Sequence, residues 1–339
     1  MNSNTSTPRE IPALLSDMAS GYMKTQALYV AAKLGVADHL TEGPRSCEVL
    51  AQTINVNPNA LYKLLRFLES MGLFNEPEPG IFALTTLGAH LRKDALGGFR
   101  TTILMNTELL WDLWGELMYT ITTGHAASKR VYGMSLFNYL QQHPEKATLF
   151  NAEMTQFIST MAPAVVSSYN FESFNTIVDV GGGQGYLLAS ILQSNPKVQG
   201  VLFDMPITVE GAQQRIESLG LSQRCTCVGG DFFASIPKGD CIILSGVISD
   251  WDDEQSVRIL NNCRQAIPPE GRLLLLERLL IPEEPAPPTA FLDLTMLIAA
   301  GGTGRTLREY RKLFVDAGFE FIRVVPTGTQ RSIFEAKPV

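Results

Sequence analysis

Two rhythms divide the chain. From Ser20 to Leu40 the apolar residues Tyr22, Leu28, Val30, Ala31, Leu34 and Val36 fall mostly at three- and four-residue spacing, which predicts a helix. Ser46 is placed to cap a short helix to Thr53, with Glu48 and Val49 in its first turn. After Asn55-Val56-Asn57-Pro58 a second helix is expected from Asn59 to about Met71, ending at Gly72. Leu73-Phe74, the turn Glu76-Pro77-Glu78-Pro79-Gly80 and the run Ile81 to Leu84 then read as a small β-wing. Helix, turn, helix and wing is a winged-helix pattern. A longer helical stretch is expected from Leu96 to about Phe171, with Met154, Phe157, Ile158 and Met161 on one stripe. Such stripes fill cores more often than they touch ligands, but this one sits just ahead of the next domain, where it can line a pocket.

From Thr176 the pattern changes to short β runs alternating with helices. Strands are expected at Thr176 to Val180, Gln199 to Phe203, Cys225 to Val228, Cys241 to Leu244, Arg272 to Leu276, Glu320 to Val325 and Ser332 to Ala336. Helices fit at Tyr186 to Gln193, Ile207 to Leu219, Asp253 to Ile267 and Leu307 to Ala317. This alternation predicts a mostly parallel sheet with helices on both faces. The organisation read from these rhythms is a winged-helix domain over residues 1–95, a helical connector over 96–172 and an α/β domain over 173–339.

Composition narrows the classes. With 45% hydrophobic and 18% charged residues the chain is of globular type, and no stretch approaches the length of a membrane span. The N-terminal residues show no secretion signal, so a cytoplasmic protein is expected. The five cysteines form no disulfide ladder; Cys225-Thr226-Cys227 is read as a strand with its thiols on opposite faces, and no metal site is expected. A net charge of −7 argues against broad binding of phosphate backbones. The winged helix does not change that: its second helix carries Lys63 and Arg66 but also Glu69, and the wing holds two glutamates and no basic residue. It reads as a dimerisation or lid module, with no nucleic acid as partner.

Candidate chemistry collects at successive strand ends. Val178-Asp179-Val180-Gly181-Gly182-Gly183-Gln184-Gly185-Tyr186 stands where the first strand turns into a helix. Glycines there let a ligand approach the backbone closely. A dinucleotide fingerprint would need glycine at Tyr186, and no phosphate-binding lysine follows. Asp204 ends the next strand, placed to accept both hydroxyls of a ribose. After the third strand, Gly229-Gly230-Asp231-Phe232 offers a carboxylate and an aromatic ring to an adenine.

Together with Phe203-Asp204-Met205-Pro206, Asp250-Trp251-Asp252-Asp253 and Gly271-Arg272-Leu273 to Glu277, these segments resemble the O-methyltransferases of the plant caffeate and bacterial antibiotic type. The likeness extends over nearly the whole chain. It implies a Rossmann-like class I methyltransferase domain with a mostly parallel seven-stranded sheet, and an N-terminal winged-helix domain that makes a homodimer. It implies S-adenosylmethionine as cofactor and S-adenosylhomocysteine as product. Carried over by position, Gly181, Gly183, Gly185, Asp204, Met205, Asp231, Phe232 and Ser245 hold the cofactor. Met154, Phe157 and Met161, with Trp251, Asp293, Met296 and Leu297, line the site of a small aromatic acceptor.

The pattern breaks at one place. Most members of this family carry a histidine before the Asp-Trp pair as general base on a phenol; here the residue is Ser249, and all four histidines precede residue 150. A glutamate that supports that histidine falls at Gly304, whereas the second acidic support corresponds to Glu277, and the lysine often found near the adenine is replaced by Ser245. Phenazine N-methyltransferases and anthracycline O-methyltransferases look similar at this spot. Ser249, Asp250 and Glu277 are the candidate catalytic residues, and His125 reads as a surface residue. Methyl transfer can dispense with a base, because holding two reactants in line supplies roughly 7–11 kcal/mol, against about 10²–10⁴-fold from a base. The sequence therefore points to methylation, by proximity, of an O or N atom on a planar aromatic secondary metabolite. The alternative is an enzyme that keeps the fold and cofactor but catalyses a hydroxylation or a pericyclic reaction.

Overall fold

The computed structural model describes residues 11–95, 97–281 and 287–339; the expected start of the long helical stretch, Leu96, lies outside them. The chain forms two compact units, one ending at Trp111 and one spanning Asp112–Val339.

In the first unit the helix expected from Ser20 to Leu40 is interrupted. Gly21–Leu34 is helical, Gly35 turns left-handed at φ 66 and caps it by donating to Ala31 and Ala32, and Val36–His39 adds one more turn. Ser46 and Asn57 accept from the amides of Val49 and Ala60, which starts the helices Cys47–Thr53 and Pro58–Ser70. The strands β1 (Arg45–Ser46), β2 (Phe74–Glu78) and β3 (Ile81–Leu84) make a small sheet in the order β1-β3-β2. Leu50, Leu65, Leu68 and Phe82 close its core. Arg66, a basic residue of the second helix, pairs with Glu69 and Glu76 within the unit.

In the second unit the long helical stretch is divided among several helices, including Leu117–Thr123, Ser128–Tyr132, Leu136–Gln142 and Pro144–Ser168. Left-handed Gly124 and Gly133 end two of them. The strands β4 (Thr176–Val180), β5 (Gln199–Asp204), β6 (Cys225–Gly229), β7 (Cys241–Ser245), β8 (Arg272–Glu277), β9 (Phe319–Pro326) and β10 (Ser332–Pro338) lie within two residues of the expected ones. They form one sheet in the order β6-β5-β4-β7-β8-β10-β9. β4 to β8 are parallel, and β10 runs antiparallel to both β8 and β9. Runs such as Cys241-Ile242-Ile243-Leu244 and Leu273-Leu274-Leu275-Leu276 are buried because helices cover both faces of the sheet.

Two readings are corrected. Cys225 and Cys227 share a face of β6 and interact through their side chains, because residues two apart on a strand point the same way. A helix unassigned in the sequence occupies Pro287–Ala300. Its stretch Phe291-Leu292-Asp293-Leu294-Thr295-Met296-Leu297-Ile298 is apolar nearly all round, so it has no polar stripe to mark the period. The order of strands reverses between β4 and β7, which opens a crevice at the carboxyl ends of the parallel strands.

Candidate active site

The crevice holds a cavity of about 620 Å³. Its floor is the turn from β4 into the helix Tyr186–Ser194. Gly181 and Gly183 adopt φ 69 and φ 57, and a Cβ on Gly181 would stand 2.6 Å from Val247 Cγ2. The Gly183 amide donates to Asp204 Oδ2 at 2.8 Å and the Met205 amide to Oδ1 at 2.7 Å. Two backbone donors thus fix the carboxylate at the end of β5, on the cavity wall. Burial pushes its pKa up, and the two amides pull it down.

Opposite, Asp231 and Phe232 follow β6 and also face the cavity. Asp231 Oδ1 accepts from the Phe233 amide at 2.8 Å. Trp251 packs edge-on against Phe232 and Phe233 and stacks on Phe137, with centroids 5.5 Å apart in the last case. A carboxylate for a diol, a side-chain-free turn beside it and an aromatic slot fit the adenosine end of S-adenosylmethionine. Among the residues proposed from sequence, Gly181, Gly183, Asp204, Met205, Asp231, Phe232, Ser245, Asp250, Trp251, Met154 and Phe157 all reach the cavity.

Others lie elsewhere. Gly185 packs against Leu202, where a Cβ would come to 2.7 Å from Cδ1. Met161 is in the core beneath the cavity, 4% exposed. Asp293 Oδ1 accepts from the Gly304 amide at 2.5 Å. A Cβ at 304 would stand 2.9 Å from Leu280 Cδ1, so a glutamate there would have to displace that side chain. Met296 accepts with its carbonyl from the Gly301 amide, and neither it nor Leu297 is on the cavity wall.

Ser249 and Glu277 stand behind the wall. Glu277, 1% exposed, accepts with Oε1 from the amides of Ile248 at 2.9 Å and Ser249 at 3.3 Å. Ser249 itself is not on the cavity wall. Burial raises the Glu277 pKa, and Arg331 and these donors oppose it. The same segment is held from outside by Arg305, 1% exposed, which donates to the carbonyls of Ile248 at 2.9 Å and Trp251 at 2.8 Å. Asp250 points into the cavity, its pKa pushed up to about 8 by burial and by Glu277.

Asp179, under the glycine turn, is 1% exposed and neither of its oxygens has a partner among the described residues. Burial, with the charge of Asp204, pushes its pKa up to about 7. The folded chain therefore holds a proton here that the unfolded chain, with an ordinary carboxylate near 3.9, has released. Stability from this group is full below about pH 4, falls as pH rises towards 7, and is level above. Asp179→Asn removes that dependence. In thermal melts from pH 5 to 8, the gap between variant and wild type should move in the variant's favour as pH rises. A constant gap would mean Asp179 is ionised in the native state.

A family model described as the O-methyltransferase domain matches residues 114–320, and one for the O-methyltransferase dimerisation domain matches residues 16–94. The chain belongs to the O-methyltransferase family. Its relatives include a phenazine O-methyltransferase of Lysobacter antibioticus, 41% identical over 97% of each chain. They also include a phenazine-1-carboxylate N-methyltransferase of Pseudomonas aeruginosa, 30% identical over 96% of this chain and 95% of the relative. The crystal structure of LaPhzM superposes with a TM-score of 0.93 at 41% identity, covering 97% of this chain and 99% of that one. An O-methyltransferase from neocarzinostatin biosynthesis, solved with S-adenosylmethionine and 2-hydroxy-5-methyl naphthoic acid, gives 0.85 at 31% identity, over 93% of this chain and 96% of that one.

This member of the O-methyltransferase family is thus an S-adenosylmethionine-dependent enzyme with a class I methyltransferase fold and an N-terminal dimerisation domain. Among the described residues no helix is long and apolar enough to cross a membrane, and no cluster of side chains has the makings of a metal site. Two residues of the methyltransferase site escaped the sequence reading. Arg331 lines the cavity from the start of β10, and Arg305 holds the Ile248–Trp251 segment in place. Both are lone arginines in unremarkable stretches, and only the fold brings them to the site.

Proposed function

We propose that this methyltransferase transfers a methyl group to an O or N atom of a planar aromatic or heteroaromatic secondary metabolite, without a side-chain base. The observation that carries this reading is the place of Ser249: its amide donates to Glu277 Oε1 behind the cavity wall, and a serine there offers no imidazole to take a proton. When bound, S-adenosylmethionine supplies a sulfonium methyl open to in-line attack. Asp204 would hold the ribose, Phe232 and Trp251 the adenine, and Gly181 and Gly183 the approach of the methionyl part. Met154, Phe157 and Trp251 give the remaining wall an apolar, aromatic surface suited to a flat acceptor. The names of the relatives, which act on phenazines and a naphthoate, favour the same class. The dimerisation domain supports a homodimer, and the five free cysteines suit a reducing cytoplasm.

The reaction is tested with deuterated-methyl S-adenosylmethionine and a panel of phenols, hydroxy-polyketides and phenazines, read by mass spectrometry. A heavy methyl on the acceptor with S-adenosylhomocysteine released is the expected result. Converted acceptor with no S-adenosylhomocysteine would mean hydroxylation or pericyclic chemistry instead. With the acceptor found, Ser249→Ala should leave kcat within about threefold, because no base is lost; a fall of about 100-fold or more would make Ser249 part of a proton relay.

A further inference from the structure

Arg331 stands just before β10, and its guanidinium reaches across β8 to the end of β7. Nη1 donates to Ser245 Oγ at 3.0 Å. The group lies against the α-carbon of Gly246, where a Cβ would come within 2.2 Å of Nη2. Gly246, at φ 67, is thus the residue that leaves room for this arginine. The Phe157 ring lies 4.9 Å from the Arg331 guanidinium and 5.4 Å from that of Arg278. Nε of each arginine is buried without a partner among the described residues.

The charges around the pair do not balance. Arg278 donates to the neutral side chain of Gln330. Among the described residues no carboxylate lies within 4.0 Å of the Arg331 nitrogens. Glu277 spends Oε1 on two backbone amides, and burial disfavours the charged form of Asp250. The neighbouring Tyr310 phenol is likewise pushed up by burial and stays neutral. The Arg331 guanidinium thus stands at the wall of a mostly apolar cavity without a directly bonded carboxylate among the described residues, where an uncompensated cation is costly. The place is also informative. Asp204 ends β5, two strands from β7 and roughly 10 Å away, whereas Arg331 approaches β7 from the opposite side. The arginine therefore faces the part of the cavity away from the ribose carboxylate, on the side of Phe157.

We propose that Arg331 binds an anionic oxygen of the acceptor, either a carboxylate on its ring or the ionised ring hydroxyl, and so selects acidic planar aromatics. The proposal rests on reading this end of the cavity as the acceptor site. A guanidinium placed there also answers the missing base, since it favours an acceptor that arrives already deprotonated.

The test uses full-length enzyme loaded with S-adenosylhomocysteine, comparing wild type with Arg331→Met and Arg331→Lys. Binding of phenazine-1-carboxylate and phenazine-1-carboxamide is measured by calorimetry, and bound 1-hydroxyphenazine is read by its phenolate absorbance. A carboxylate preference of about 10- to 100-fold in wild type, abolished in Arg331→Met and partly kept in Arg331→Lys, makes the ring carboxylate the anion. A phenolate spectrum in wild type that is lost in Arg331→Met makes it the hydroxyl. Equal binding of acid and amide with no phenolate spectrum overturns the proposal and leaves the aromatic reading intact. The same holds if Arg331→Met weakens acid, amide and S-adenosylhomocysteine alike. Should S-adenosylhomocysteine bind but no planar probe, the aromatic reading fails and the proposal falls with it.

Discussion

Replacing Asp204 with alanine should weaken S-adenosylhomocysteine binding by about 10²–10⁴-fold. The carboxylate is oriented at the cavity wall by the amides of Gly183 and Met205, so no protein group has to move before a ligand diol meets it. A hydrogen bond to a charged acceptor contributes about 1.5–3 kcal/mol, and a ribose has two hydroxyls to offer. The alanine also leaves the Gly183 amide without its partner, which loosens the turn. Asp204→Asn keeps the shape but loses the charge, and should fall between alanine and wild type. Titration calorimetry gives the affinities directly. A loss under about tenfold for the alanine variant would show that the diol is not held at Asp204.

Arg305→Met should lower stability by about 2–4 kcal/mol and carry activity down with it. The guanidinium is 1% exposed and donates to the carbonyls of Ile248 and Trp251, to Ser256 Oγ and to Asp253. Methionine fills much of the volume but removes the short charged donors, leaving the carbonyl of Ile248 only the long bonds from the Trp251 amide and Ser256 Oγ, and that of Trp251 only the one from Ser256 Oγ. For a unit of this size the loss corresponds to a melting temperature lower by roughly 10 °C. Activity follows because Asp250 and Trp251, which line the cavity, lie on the segment that Arg305 holds. Asp253→Ala is the contrast: its side chain is 61% exposed, so that pair should contribute under about 1 kcal/mol. Equal small shifts for both variants would mean that the carbonyl contacts do not anchor the segment.

Ser249 and Gly304 show where local pattern and spatial arrangement part. The absence of a histidine and a glutamate is plain in the sequence. Their replacement is not: Asp293 bonds to the Gly304 amide and Leu280 packs beside it. Likewise Phe157 and Met161 share a stripe at helical spacing, but one lines the cavity and the other is core. Periodicity gives a residue's direction around the helix axis, and it says nothing of what lies opposite that point of the helix.

The sequence by itself determined the alternation of strands and helices, the glycine turn after β4 and the acidic residue ending β5. Each is written in a few consecutive residues, because turn geometry, capping and strand burial act over short distances along the chain. The tertiary structure alone decided that Arg331, 86 residues after Ser245, shares a cavity wall with it, and that Arg305 anchors Ile248 from 57 residues away. Such contacts arise where β10 inserts beside β8 and where the loop after the Pro287–Ala300 helix returns to the sheet. The order of strands sets them, and no local propensity of an arginine records which strand end it will meet.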